Sequence, residues 1–178
     1  MPTIQLPTYE HIDQIRNLNN RNLIENLTDA QRQNGFVRIA YDRNGLQQII
    51  ANNEMVIAIE NDEVVGYYLI GKKSGNAALD YQRNKAISLF NTHQITLDKI
   101  GYGCQVCIEQ AFRNNGLFGQ MLTALNNRVR DKYSYLLCSI SDDNINSRAK
   151  HLANGWQAIN DIEAPGFYLY NTHPQILE

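Results

Sequence analysis

The sequence predicts a single α/β (α+β) domain, and three observations carry that reading. Its 178 residues are enough for one sizeable core and too few for two ordinary domains. Hydrophobic residues make up 43% and charged residues 19%, a globular balance. The apolar pattern also alternates along the chain between the two-residue period of strands and the helical period of about 3.6, with strands on both sides of the longest helical stretch.

Taken in order, Thr8 precedes Ile12, Ile15 and Leu18 at helical spacing, and Leu23, Ile24 and Leu27 extend the pattern into a second short helix. Gly35-Phe36-Val37 interrupts it. Asn44-Gly45 marks a turn ahead of another short helix on Leu46, Ile49 and Ile50. The stretch 1–50 therefore reads as a cap laid over something else. Met55 to Glu60 and Val64 to Ile70, rich in β-branched residues and joined through Asn61-Asp62, form a hairpin pattern. Ala77 to Phe90 fits a helix between turn-rich flanks.

From Tyr102 a strand runs through Cys104, Val106 and Ile108 into a polar turn, Arg113 to Gly116. Leu117, Met121, Leu122, Leu125 and Val129 then hold helical spacing to about Lys132, and Tyr135 to Ile140 opens another apolar strand. A further helix from about Asn144 to Asn154 stops at Gly155, the residue suited to a left-handed cap. Two strands follow around Ala158 and Phe167 to Tyr170, with Pro165-Gly166 turning between them.

Composition excludes several classes. With Lys+Arg at 16 and Asp+Glu at 18 the formal charge is -2, and no basic run could track a phosphate backbone, so no nucleic acid is expected. No apolar run approaches the roughly 20 residues that span a bilayer, and the amino terminus lacks the basic start and apolar block of a secretory signal. The expectation is a cytoplasmic protein with no membrane partner. Cys104 and Cys107 form a C-x-x-C, but on a strand side chains three apart point to opposite faces. They are expected to be structural, and no metal site is expected.

The most informative stretch is Ile108-Glu109-Gln-Ala-Phe-Arg113-Asn114-Asn115-Gly116-Leu117-Phe118-Gly119, which joins a strand end to a helix start through a polar, glycine-containing loop. Backbone N–H groups at a helix amino terminus are unpaired and carry the positive end of the helix dipole, so such a junction suits phosphate. Gly116 permits close approach and Arg113 can add a charge-assisted bond. The stretch resembles the acetyl-CoA pyrophosphate loop of the GNAT superfamily, Arg/Gln-x-x-Gly-x-Gly/Ala. Arg113 and Gly116 are in register, Phe118 stands where the second small residue usually sits, and Gly119 is one place late. A second segment, Asn144-Ile-Asn-Ser147-Arg-Ala-Lys-His151-Leu-Ala-Asn-Gly155-Trp156, is similar to the family pattern Asn-x-x-Ala/Ser-x-x-x-Tyr/His-x-x-x-Gly-Phe. Asn144, Ser147 and His151 are spaced to share one helix face.

The resemblance implies one GNAT domain over residues 1–178, built on a central mixed, mostly antiparallel twisted sheet of six or seven strands flanked by helices. It implies acetyl-CoA as cosubstrate with no metal, and transfer to the primary amine of a small-molecule or peptide acceptor by direct attack. The cofactor contacts it implies are the strand edge Val106, Cys107 and Ile108, the loop and helix start from Arg113, Asn114, Asn115 and Gly116 to Leu117, Phe118 and Gly119, and Asn144 with Ser147. His151 stands where the family usually has a proton-donating Tyr, and Glu109 is the nearest base by sequence, ahead of His93 and Asp98. Tyr41, Tyr67, Tyr68 and Tyr102 are candidate walls of an acceptor pocket. Family members are often dimers. Gly35-Phe36-Val37 and Gln105-Val106-Cys107 are similar to a poorly characterised branch, and Ser147 with His151 to phosphinothricin-type acetyltransferases. The rival readings are a non-catalytic acyl-CoA-binding module and an unrelated nucleotide-binding α/β domain, the latter without a Walker lysine in this sequence.

Overall fold

The computed structural model describes residues 1–91, 95–159 and 166–173. A short strand that the sequence reading did not include, β1 (Thr3–Gln5), comes first. The Thr8 N–H then donates to His11 Nδ1 at 3.0 Å, starting the turn that leads into α1 (Ile12–Arg21). Ile12, Ile15 and Leu18 are its buried stripe, as their spacing predicts. The second helix expected on Leu23, Ile24 and Leu27 is reduced to a single 3-10 turn, Ile24–Asn26. Leu23 is extended and bridges Val37, and a capping box between Thr28 and Gln31 starts the short α2 (Asp29–Arg32) instead. Asn44-Gly45 is likewise not a turn before a helix but part of the first turn of α3 (Arg43–Ala51). The cap is Asp42, whose Oδ1 accepts the Gly45 N–H at 2.7 Å.

Strands β2 (Met55–Glu60) and β3 (Glu63–Ile70) form the expected hairpin, turned by Asn61 and Asp62 at φ of 51° and 61°. Two successive left-handed residues match the twist of the flanking strands. Past α4 (Asp80–Asn91), the strand predicted from Tyr102 to Ile108 is broken at Gly103, which sits at φ of 74° and separates β4 (Ile100–Tyr102) from β5 (Cys104–Ile108). A Cβ there would stand 2.9 Å from the Leu79 side chain, so the break needs glycine for both conformation and space. Beyond α5 (Leu117–Val129) come β6 (Tyr135–Ser139), α6 (Ile145–Ala153), β7 (Gln157–Ala158) and β8 (Phe167–Asn171). Gly155 ends α6 in the left-handed conformation, φ 85°, as expected. Pro165, of the expected Pro165-Gly166 turn, lies outside the described residues.

The strands make two sheets of four, β1-β2-β3-β5 and β4-β6-β8-β7, where one sheet of six or seven strands was expected. All pairings are antiparallel except β4 with β6. Helices α1 and α3 cover one face of the first sheet and α5 the other, while α4 covers the second sheet. The alternation of β5 is visible in this layering. Cys104 packs in the cluster beneath α5, and Cys107 in the cluster beneath α1. The two sulfurs face opposite ways, and all three cysteines are buried and unpaired. Burial pushes all three thiols up, Cys107 to about 12, which keeps them protonated and inert. No helix among the described residues is long and apolar enough to cross a membrane.

Candidate functional site

The break at Gly103 opens a cleft. The parallel ladder of β4 and β6 ends at Tyr102–Leu137, after which β5 pairs only with β3. The Glu109 N–H donates to the Val65 carbonyl at 2.8 Å and the Gly71 N–H to the Gly103 carbonyl at 3.0 Å. Antiparallel pairing alternates, so Cys107 and Gln105 turn their backbone groups to β3 while Val106 and Ile108 turn theirs to the open edge. The Ile108 carbonyl, accepting from Arg113 Nε at 2.7 Å, bears out that orientation.

At the end of this edge the chain enters the polar loop and α5. Asn114 and Gly116 both have positive φ, 65° and 77°. Gly116 occupies the cap position of α5, and no side chain satisfies the first N–H groups of the helix. These unpaired donors and the open β5 edge line one cavity of about 400 Å³. Arg113 holds the loop in place, with Nη1 donating to the Asn34 carbonyl at 2.6 Å and Nη2 to Asn22 Oδ1 at 2.9 Å. All three of its nitrogens are thus committed within the protein. Gly119 serves packing as well, since a Cβ there would stand 2.6 Å from Asn154 Oδ1.

The remaining wall comes from the region read as a cap. Residues 33–38 cross from the β5 loop to α6 as a strap. Asn144 Nδ2 donates to the Phe36 carbonyl at 2.9 Å, Asn146 Nδ2 to the Gln33 carbonyl, and Arg38 reaches Ser141 Oγ at 2.8 Å. Among the described residues, the cavity lining contains two cations, Arg113 and Lys150, and no carboxylate.

No sequence-family model matches the chain, and no curated protein matches it by sequence. Solved structures do. A GNAT-family acetyltransferase of Staphylococcus aureus Mu50 is 10% identical, with 97% of this chain and 99% of that one aligned at a TM-score of 0.65. The yncA protein of Salmonella typhimurium, solved with its cofactor acetyl-CoA, is 13% identical over 97% of this chain and 94% of its own, at 0.64. The PaiA N-acetyltransferase of Thermoplasma acidophilum, in complex with coenzyme A, is 7% identical over 96% and 99%, at 0.63. The chain has the GNAT acetyltransferase fold.

Within this GNAT fold most of the sequence-predicted cofactor contacts converge. Val106, Cys107, Ile108, Arg113, Asn114, Gly116, Leu117, Phe118, Gly119 and Ser147 all line the cavity, whereas Asn115 and Asn144 do not. Asn144 is buried behind it, fastening the strap. His151 does not line the cavity either. It is 4% exposed, with Phe118 at 4.9 Å and Trp156 at 5.1 Å between ring centroids, both edge-on. Its Nδ1 lies 2.7 Å from the Ser147 carbonyl, which fixes Nδ1 as the protonated nitrogen. Burial lowers its pKa to about 4 despite that bond, so at neutral pH the ring is uncharged with its one proton committed to Ser147.

Glu109 lies in a neighbouring pocket, where its carboxylate pairs with Arg21 Nη2 at 2.8 Å. Asp98 is exposed in the 97–99 turn and lines neither pocket, and His93 lies outside the described residues. Tyr41, Tyr67, Tyr68 and Tyr102 are all buried and line neither pocket. Sequence reasoning missed Asn22, the strap and Lys150. Asn22 and the strap reach the site only through long-range contacts, but Lys150 sits one turn after Asn146 on α6, a spacing that could have placed it.

Proposed function

We propose that this protein is an acetyl-CoA-dependent N-acetyltransferase acting on the primary amine of a small-molecule or peptide acceptor. The observation that carries the reading is the meeting, in one cavity with no carboxylate among the described lining residues, of the unpaired N–H groups that open α5 with the unpaired edge of β5. The residues present fit the cosubstrate: a pyrophosphate suits the α5 terminus between Gly116 and Gly119, beside the charge of Arg113 and Lys150. An amide-bearing arm suits the backbone groups of Val106 and Ile108, as an added strand suits a sheet edge.

Acetyl-CoA supplies a thioester open to direct attack by the free amine. Val106, nearer than Ile108 to the break at Gly103, offers the N–H for the carbonyl oxygen on which charge develops. The strap and loop wall the cleft and fix the approach, so positioning provides much of the acceleration. His151 holds no proton to give at neutral pH beyond the one committed to Ser147, and Glu109 is tied to Arg21 outside the cavity. This reading therefore assigns both proton transfers to water. It replaces His151 as donor and Glu109 as base.

The absence of a histidine or carboxylate from the cavity lining among the described residues favours a second reading, a non-catalytic acyl-CoA-binding module. Calorimetric titration with acetyl-CoA, followed by thiol release across an amine library, separates the two. Micromolar binding that Gly116→Asp abolishes, with thiol release by at least one amine, is the expected result. Binding without turnover selects the module, and a folded protein that does not bind overturns both.

A further inference from the structure

The sequence contains four Asn-Gly steps, at 34–35, 44–45, 115–116 and 154–155. Such steps can deamidate: the glycine nitrogen, once deprotonated, attacks the asparagine Cγ, and ammonia leaves as a succinimide closes. Water then opens the ring at either carbonyl, giving aspartate or an isoaspartate with one extra carbon in the backbone. The net change is one water consumed, one ammonia released and one carboxylate gained. The reaction needs a glycine N–H not held by a hydrogen bond, a mobile amide and access for water.

Three of the four steps are protected. The Gly35 N–H donates to the Arg32 carbonyl at 3.0 Å, and the Gly155 N–H to the Leu152 carbonyl at 3.3 Å. The Gly45 N–H donates to Asp42 Oδ1 at 2.7 Å and is buried in the first turn of α3. Asn154 is restrained too, its Nδ2 donating to the Lys150 carbonyl at 2.8 Å. Asn115-Gly116 differs in every respect. Both residues are exposed, the Asn115 side chain makes no hydrogen bond, and the Gly116 N–H has no acceptor among the described residues. Gly116 also stands at the positive end of α5, which favours the deprotonated amide that attacks.

We propose that Asn115 is a spontaneous deamidation site that disables the cofactor loop, and that bound acyl-CoA protects it. The protective part rests on the acetyl-CoA reading above. Deamidation sets a carboxylate, and in the isoaspartate a lengthened backbone, beside the N–H groups that would take the pyrophosphate. A phosphate that engages the Gly116 N–H withholds it from the reaction. The unpaired donors that make the loop a phosphate site thus also make it chemically perishable when empty.

The test is to age the wild-type protein in mildly alkaline buffer, with and without acetyl-CoA, and follow the one-dalton mass gain in the peptide carrying each Asn-Gly step. The Asn115 peptide is expected to convert at least tenfold faster than the other three, and more slowly with acetyl-CoA. Conversion of Asn34, Asn44 or Asn154 first overturns the site. Alongside, Asn115→Asp is expected to bind acetyl-CoA at least tenfold more weakly, while Asn44→Asp, the same charge at a remote Asn-Gly step, keeps wild-type affinity. Thermal melts establish that both variants fold. Equal binding by wild type and Asn115→Asp sinks the switch alone; no binding by wild type sinks the acetyl-CoA reading and the protection with it, leaving the order of conversion to be judged separately.

Discussion

The two ends of α5 treat polar groups in opposite ways. At its start, Gly116 leaves the first N–H groups unpaired and facing a cavity. Just past its end, Lys132 and Tyr133 both donate to Oε1 of Glu54, a carboxylate with no exposed surface. The Lys72 ammonium lies 4.5 Å from the Tyr133 ring centroid and donates to the Ile100 carbonyl at 3.0 Å. Burial outweighs its attraction to Glu54 and pulls its pKa down to about 8. Polar groups paired with one another inside the protein contribute to holding it together; polar groups left unpaired beside open space are available to a ligand. One helix carries both arrangements, so substitutions at its two ends should separate stability from binding.

The largest effect is expected at the paired end. Glu54→Ala strips Lys132 and Tyr133 of their shared acceptor and should cost about 4 kcal/mol in urea unfolding, with acetyl-CoA affinity of the folded fraction unchanged. A loss of affinity as well would mean that the two ends are coupled. Next comes His151, ordinarily near 6.5 and held by burial at about 4 in the folded protein. Between these values the unfolded chain binds the extra proton and the folded chain does not, so stability falls as pH drops through that window. The full loss is about 3 kcal/mol, and His151→Phe should flatten this limb of the stability–pH curve. A tenfold fall in turnover with binding unchanged would restore His151 as a proton donor.

Arg113→Ala sharpens the comparison, because it removes three donors from the loop without touching the α5 N–H groups. It should cost about 2 kcal/mol in stability and weaken acetyl-CoA binding at least tenfold, and Arg113→Lys should restore little of either, since an ammonium cannot reproduce the three-way fork. The smallest effect belongs to Glu109→Gln, which breaks a partly exposed pair with Arg21 and should change stability by less than about 1 kcal/mol. Thiol release should be unaltered; a marked loss would return Glu109 to the chemistry.

What the sequence made legible follows from how locally each feature is determined. The α5 stripe, the Asn61-Asp62 hairpin turn and the left-handed Gly155 all arise from neighbours within a turn or two. The loop after Ile108 was readable for the same reason. The division into two sheets was not, because Tyr102 and Cys104 look like one strand until Gly103 is seen to meet Leu79, a residue from another element. The burial of His151 was hidden too. Helical spacing places it on one face with Asn144 and Ser147, but Phe118 and Trp156, from elsewhere in the chain, decide that its ring faces packing rather than the cavity.

The strap gives the cavity an assembly order. Its closing hydrogen bonds span 108 residues from Phe36 to Asn144 and 113 from Gln33 to Asn146, and Arg113 reaches back 91 residues to Asn22. Closing loops of that length carries a large entropic cost before any contact offsets it, so such contacts tend to form late in folding. A chain growing from its amino terminus has the strap early but nothing to fasten it to until α6 emerges. The pocket therefore comes into being only when nearly the whole domain has been made, and truncated products ending before Asn144 should lack it altogether.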